Sequence, residues 1–200
     1  MPKGRTNAPR PGMGAALLLA GVAFSLLPIR FAYSASPRPG FSVLSANTYL
    51  DDAVYRLNAR LAFRLSATAA EALKNDVPLI IELQIQLMRP RRWLWAETVA
   101  RLRQRYQVRY HALSRQYLVT NLNTGIRRIY PTRGMAFKAI GSIRNLPILD
   151  EKLLGGGHGD FVRLRVRLDI ESLPLPLRPM AYLSSGWHLA SDWYTCPVHS

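Results

Sequence analysis

From residue 41 onward the chain repeatedly alternates apolar and polar residues with a period of two, the pattern of β-strands that bury one face and wet the other. Phe41 to Leu50 reads as a first strand. In a second, Tyr55, Leu57, Ala59, Leu61, Phe63 and Leu65 share one face, opposite Arg56, Asn58, Arg60 and Arg64. Pro78 to Met88 alternates Leu79, Ile81, Leu83, Ile85 and Leu87 with Glu82, Gln84 and Gln86. Val99 to Ala112 sets Leu102, Tyr106, Val108 and Tyr110 against a face that is almost all arginine. Gln116 to Leu122 and Ile126 to Tyr130 flank Asn123, Thr124 and Gly125, which supply hairpin turn chemistry. Val162 to Ile170 is the most regular alternation of all.

Two stretches break the period. Thr68 followed by Glu71 fits a capping box, so Ala69 to Lys74 reads as a short helix. Thr132 caps a second one, in which Phe137, Ile140 and Ile143 recur at three-residue spacing and Pro147 marks the end. Strands outnumber helices, and no connection is a full crossover helix, so antiparallel pairing is favoured. The expected fold is mainly β (α+β): an antiparallel β-sandwich, or one curved antiparallel sheet, with two short helices.

The first 35 residues read differently. Met1 to Met13 carries Lys3, Arg5 and Arg10 and no acid, and Gly14 to Leu27 is an uninterrupted run of apolar or small residues. With the small residues Ala32, Ser34, Ala35 and Ser36 downstream, this is the layout of a secretory signal peptide. It also serves as a hydrophobic membrane-anchoring helix if Arg30 snorkels to the headgroups. Either way the bases precede the apolar run and place the rest of the chain outside the cytoplasm. The expected organisation is a leader or anchor over residues 1–35 and a single periplasmic domain over 36–200, anchored to the inner membrane or released after cleavage.

Charge narrows the partners. The chain holds 27 Lys and Arg against 12 Asp and Glu. Only Lys3, Arg5, Arg10 and Arg30 precede residue 36, so the domain itself keeps a charge of +11. Such a field favours an anionic envelope component or an acidic membrane-protein face, and export makes nucleic acid an unlikely partner. The single Cys196 has no partner for an internal disulfide and reads as a small buried hydrophobe.

The run YHALSRQYLVTN, Tyr110 to Asn121, and the run LRVRLDIESLPLPLRPMAYLSSGWHLASDWY, Leu164 to Tyr194, resemble the bacterial family called DUF4390. The resemblance covers most of the chain after the leader and rests on the LPLPLRP turn with Trp187 and Trp193 behind it. It implies an exported protein of unknown function, in gene neighbourhoods that include a membrane sensor histidine kinase, and supplies no catalytic or ligand residues. One departure is Cys196, where the family pattern leads one to expect a further aromatic residue.

Candidate chemistry is therefore read from the residues. Arg101, Arg103, Arg105 and Arg109 on one strand and Arg163, Arg165 and Arg167 on another make a dense cationic face if their strands are neighbours. Guanidinium groups so arrayed grip phosphate or carboxylate in bidentate fashion. The competing reading is a solvated face in an arginine-rich chain, which holds only four lysines. The turn Gly155 to Asp160 lacks the lysine and the following helix of a phosphate loop, and His158 with Asp160 falls short of a metal-ligand set. No hydrolase motif is present, and the histidines 111, 158, 188 and 199 stand far apart. No catalytic residue, cofactor or metal is expected. LPLPLRP is expected to run extended, with Leu173, Leu175 and Leu177 turned inward. Trp93 and Trp95, beside Arg89, Arg91 and Arg92, suit either a membrane interface or the rim of the core. The expected function is a non-catalytic envelope interaction domain, in its sharpest form a regulatory partner of a membrane sensor kinase. The alternatives are an envelope hydrolase with an unrecognised site, and binding of anionic lipid or nucleic acid through the basic face.

Overall fold

The computed structural model describes residues 38–91, 93, 95–154 and 159–198. The leader over residues 1–35, Arg92, and the glycines 155–157 with His158 lie outside the described residues. Nine strands are described: β1 Gly40–Asp51, β2 Val54–Arg64, β3 Leu79–Arg89, β4 Glu97–His111, β5 Gln116–Asn121, β6 Arg127–Tyr130, β7 Ser142–Asp150, β8 Phe161–Leu168 and β9 Tyr194–Pro197. Three helices join them, α1 Ala67–Lys74, α2 Arg133–Ile140 and α3 Arg178–Leu183.

All pairings are antiparallel, in a three-stranded sheet ordered β1-β2-β7 and a six-stranded sheet ordered β6-β5-β4-β3-β8-β9. Both sheets feed one apolar cluster. Tyr55, Leu57, Ala59 and Leu61 of β2 meet Leu79, Ile81, Leu83, Ile85 and Leu87 of β3 and Val162, Leu164, Val166 and Leu168 of β8 there. Removing one such side chain from water stabilises the fold by roughly 1.5–3 kcal/mol, which is why the alternation dictates which sheet face turns inward. The expected two-faced antiparallel fold is present, with three short α-helices rather than two.

Ser66, not Thr68, caps α1: its hydroxyl accepts from the Ala69 amide at 3.0 Å and donates to the Gly186 carbonyl at 2.6 Å. The helix starts earlier than the capping-box pattern suggests because Ser66 serves two segments at once. Thr132 caps α2 as expected, its hydroxyl accepting from Met135. That helix, however, ends at Ile140. Ile143 and Pro147 belong to β7, because Leu61 donates its amide to the Gly141 carbonyl at 2.8 Å and turns the chain into the sheet. Pro147 is tolerated since β7 is an edge strand, where one side of the backbone needs no ladder partner.

LPLPLRP also departs from expectation. Residues 175–177 form a 3-10 turn that leads directly into α3. Leu173 is buried as expected, but Leu175 is exposed and Leu177 only half-buried. Pro179 sits in the first turn of α3, where its missing amide costs nothing.

The β1–β2 hairpin turns on Asp52 and Ala53, both with positive φ, 49° and 59°. Two successive left-handed residues match the right-handed twist of the flanking strands. An alanine there carries a steric cost of roughly 1–2 kcal/mol that glycine avoids. Ala53→Gly is expected to raise the melting temperature by about 2–4 °C, a gain near 1 kcal/mol for a domain of this size, by differential scanning calorimetry.

A candidate anion-binding sheet face

The two arginine rows do not lie on adjoining strands. β3 runs between β4 and β8 and pairs with both. The register then builds three rungs on the outer face: Arg105, Glu82 and Arg167; Arg103, Gln84 and Arg165; Arg101, Gln86 and Arg163. Strict alternation on three neighbouring strands puts all nine side chains on one side, because successive side chains point to opposite faces.

The rungs differ in charge balance. Glu82 is buried, accepts from Arg167 at 3.3 Å and takes a hydrogen bond from the Gln84 amide at 2.6 Å. Arg105 donates to Asp169 at 2.9 Å and to the Ser172 hydroxyl at 2.8 Å. Those two arginines are neutralised. Arg101, Arg103, Arg163 and Arg165 form no ion pair among the described residues. Arg163 donates to Gln86 at 2.8 Å, and its guanidinium lies 4.6 Å from the centre of the Trp193 ring. Arg165 lies 5.9 Å from the same ring, and its Nε is shut from solvent with no hydrogen-bond partner among the described residues. Trp193 thus holds two like charges together on one flank through cation–π attraction.

Arg109 stands on the same side of β4 as Arg101, Arg103 and Arg105 but outside this cluster. It lies beyond the rungs and forms a two-pronged pair with Asp76 at 2.8 and 3.1 Å. The Arg109 hydrogen bond holds the Asp76 carboxyl below its ordinary value, and burial raises it less than Arg109 lowers it. Both partners are solvent-exposed, so the pair adds little to stability.

For Asp169 burial is the largest influence and pushes the carboxyl up. Hydrogen bonds from Ser172 and Arg105 and the charges of Arg105 and Arg167 outweigh it together, leaving the group below the usual carboxylate range. Burial pushes the Cys196 thiol up to about 11, which suits the small buried hydrophobe expected and gives almost no thiolate at neutral pH.

Asp160, from the glycine-rich turn, is buried and paired with Arg89 at 3.3 Å rather than offered to a ligand. Among the described residues no three His, Cys, Asp or Glu side chains form a metal-binding group. No described helix is long and apolar enough to cross a membrane. Trp93 and Trp95 are not core rim: they stand 91% and 92% exposed between β3 and β4. Trp187 is buried in the core.

Sequence reasoning missed two arginines, Arg128 of β6 and Arg144 of β7. Arg128 pairs with Val119, whose side chain is buried, so it stands on the inner side of the six-stranded sheet while Ile129 faces out. The alternation in RRIY carries this signal, but reading it requires the register of β5.

No curated protein and no solved structure matches the chain. A family model described as a domain of unknown function, DUF4390, matches residues 38–197, the whole of the two-sheet fold. The chain belongs to the DUF4390 family.

Proposed function

We propose that this protein is a non-catalytic interaction domain of the bacterial envelope that engages an anionic partner through the outer face of β4, β3 and β8. In this reading the N-terminal segment brings the domain to the periplasmic side of the inner membrane, where acidic headgroups and acidic faces of membrane proteins are within reach. A membrane sensor kinase is one such protein.

The observation that supports it is the unneutralised lower part of the face. Arg101 and Arg103 on one flank and Arg163 and Arg165 on the other have no acidic partner among the described residues, while Gln84 and Gln86 between them offer side-chain amides. Holding four guanidinium groups around a neutral strip costs repulsion, and an anion relieves it.

The test is flotation of the full-length chain with phosphatidylglycerol vesicles, compared with phosphatidylcholine vesicles. Replacing Arg101, Arg103, Arg163 and Arg165 by Gln is expected to lower retention on the acidic vesicles at least tenfold, since each base near an anionic surface contributes about 1 kcal/mol. A control in which Arg38, Arg64, Arg115 and Arg133 become Gln has the same net charge and is expected to keep most of the binding. Equal loss in both would reduce the face to general electrostatics.

A further inference from the structure

A cleft of about 530 Å³ lies between the two sheets, on the side where β6 ends the six-stranded sheet and β7 ends the three-stranded one. Both strands are edges there, and α2 is the segment that carries the chain from one to the other. The apolar part of the lining includes Ile140 at the end of α2 and Ile143 and Leu146 of β7.

Two arginines enter this lining from opposite sheets. Arg128 reaches it from the inner side of β6, the side that Val119 and Tyr106 share. Arg144 reaches it from a β-bulge. Between Ile143 and Leu146, β7 spends one residue more than β2 spends between Ala59 and Leu57. Asn145 takes up the excess with φ of 54°, fixed by the Tyr49 hydroxyl donating to its Oδ1 at 2.6 Å and by its own amide donating to Asn58 at 2.9 Å. Bulges of this kind re-aim a side chain at a sheet edge. Here hydrogen bonds from β1 and β2 lock the bulge in place.

The lining contains no acidic residue, and neither arginine forms an ion pair among the described residues. Tyr106 also lines the cleft, and its hydroxyl has no hydrogen-bond partner among the described residues. An inward arginine on an edge strand also discourages edge-to-edge pairing. That purpose explains Arg128 alone. It does not explain a second arginine delivered to the same space by a pinned bulge on the other sheet.

We propose that this cleft binds a small amphipathic anion, with Arg128 and Arg144 holding its carboxylate or phosphate and Ile140, Ile143 and Leu146 covering its apolar body. The volume lies within the range of small-molecule sites, and convergent donors above an apolar floor are their usual composition. The site is separate from the outer arginine face and does not depend on it.

The test is calorimetric titration of the full-length chain with octyl phosphate and with octanoate, both below their micellar concentrations, and with octanol and inorganic phosphate as controls. Saturable one-to-one binding of either amphipathic acid, with neither control binding, supports the site. The double variant Arg128→Gln with Arg144→Gln is expected to weaken that binding at least tenfold with an unchanged melting curve. Ala139→Trp keeps both arginines and fills the cleft, and is expected to abolish binding. The variant Arg101→Gln with Arg103→Gln is expected to leave affinity within twofold, which separates this site from the outer face. Absence of binding by the wild-type chain, or binding retained within twofold when both cleft arginines are gone, would overturn the proposal.

Discussion

Gly141→Ala is expected to be the most damaging added methyl among the described glycines, lowering stability by about 3 kcal/mol in urea unfolding. A Cβ built at position 141 would meet the Leu61 carbonyl oxygen at 2.5 Å, the Phe137 carbonyl at 3.2 Å and the Phe63 ring at 3.3 Å. Two of these three atoms are backbone, so no side chain can swing away to make room. Relief requires moving β2 from α2, and the Leu61 to Gly141 hydrogen bond would go with it. Since φ at Gly141 is −73°, the effect is steric crowding and not a left-handed backbone. A variant that melts like the parent would show that β2 and α2 can separate freely.

Asp169→Ala is expected to cost about 2–3 kcal/mol and to change how stability depends on pH. Asp169 sits where β8 ends, is buried, and accepts from Arg105, from the Ser172 hydroxyl at 2.7 Å and from the Glu171 amide at 3.2 Å. Truncation leaves Arg105 and Ser172 without that acceptor. The cost falls below that of breaking a fully buried pair because the Arg105 side chain is 38% exposed and solvent screens it. Because the folded carboxyl titrates below its unfolded value, its contribution is fully present above the unfolded value near 4 and disappears as pH falls through the folded one. The parent should therefore lose more stability than the variant as pH falls below about 4. Parallel acid limbs in equilibrium unfolding would sink this account.

The strands with the plainest alternation are those that bury one face and wet the other, whereas β6 is read from the turn chemistry of Asn123 to Gly125. β2, β3, β4 and β8 bury one face in the shared core, so alternation in the chain is alternation in burial. β7 escaped because the three-residue spacing of Phe137, Ile140 and Ile143 continues the helical pattern across the α2–β7 junction, and only the contact between Gly141 and Leu61 shows where it breaks. β9 is four residues long and gains its place from pairing with β8, not from its own pattern.

The candidate face was legible as composition but not as arrangement. Single-strand alternation correctly placed Arg101, Arg103 and Arg105 together, and Arg163, Arg165 and Arg167 together. It cannot reveal that β3 threads between them, that Asp169 and Glu82 neutralise one end, or that Asp76 draws Arg109 away. Those are facts of register and of distant partners. Arg128 and Arg144 were harder still, since one depends on strand phase and the other on a bulge.

The Thr48 hydroxyl of β1 donates to the Pro197 carbonyl of β9 at 2.8 Å, across 149 positions of sequence. β7 likewise waits for most of the chain to pass before it can complete the sheet begun by β1 and β2. Contacts this distant must overcome large loop-closure entropy before they repay it, so folding belongs to the slow end of the range for domains of this size. A chain emerging N-terminus first keeps β1 and β2 as an unfinished hairpin, with one side of β2 unpaired, until β7 has been delivered. During that interval the open strand edge of β2 is a template for wrong pairing, which β7 removes when it docks.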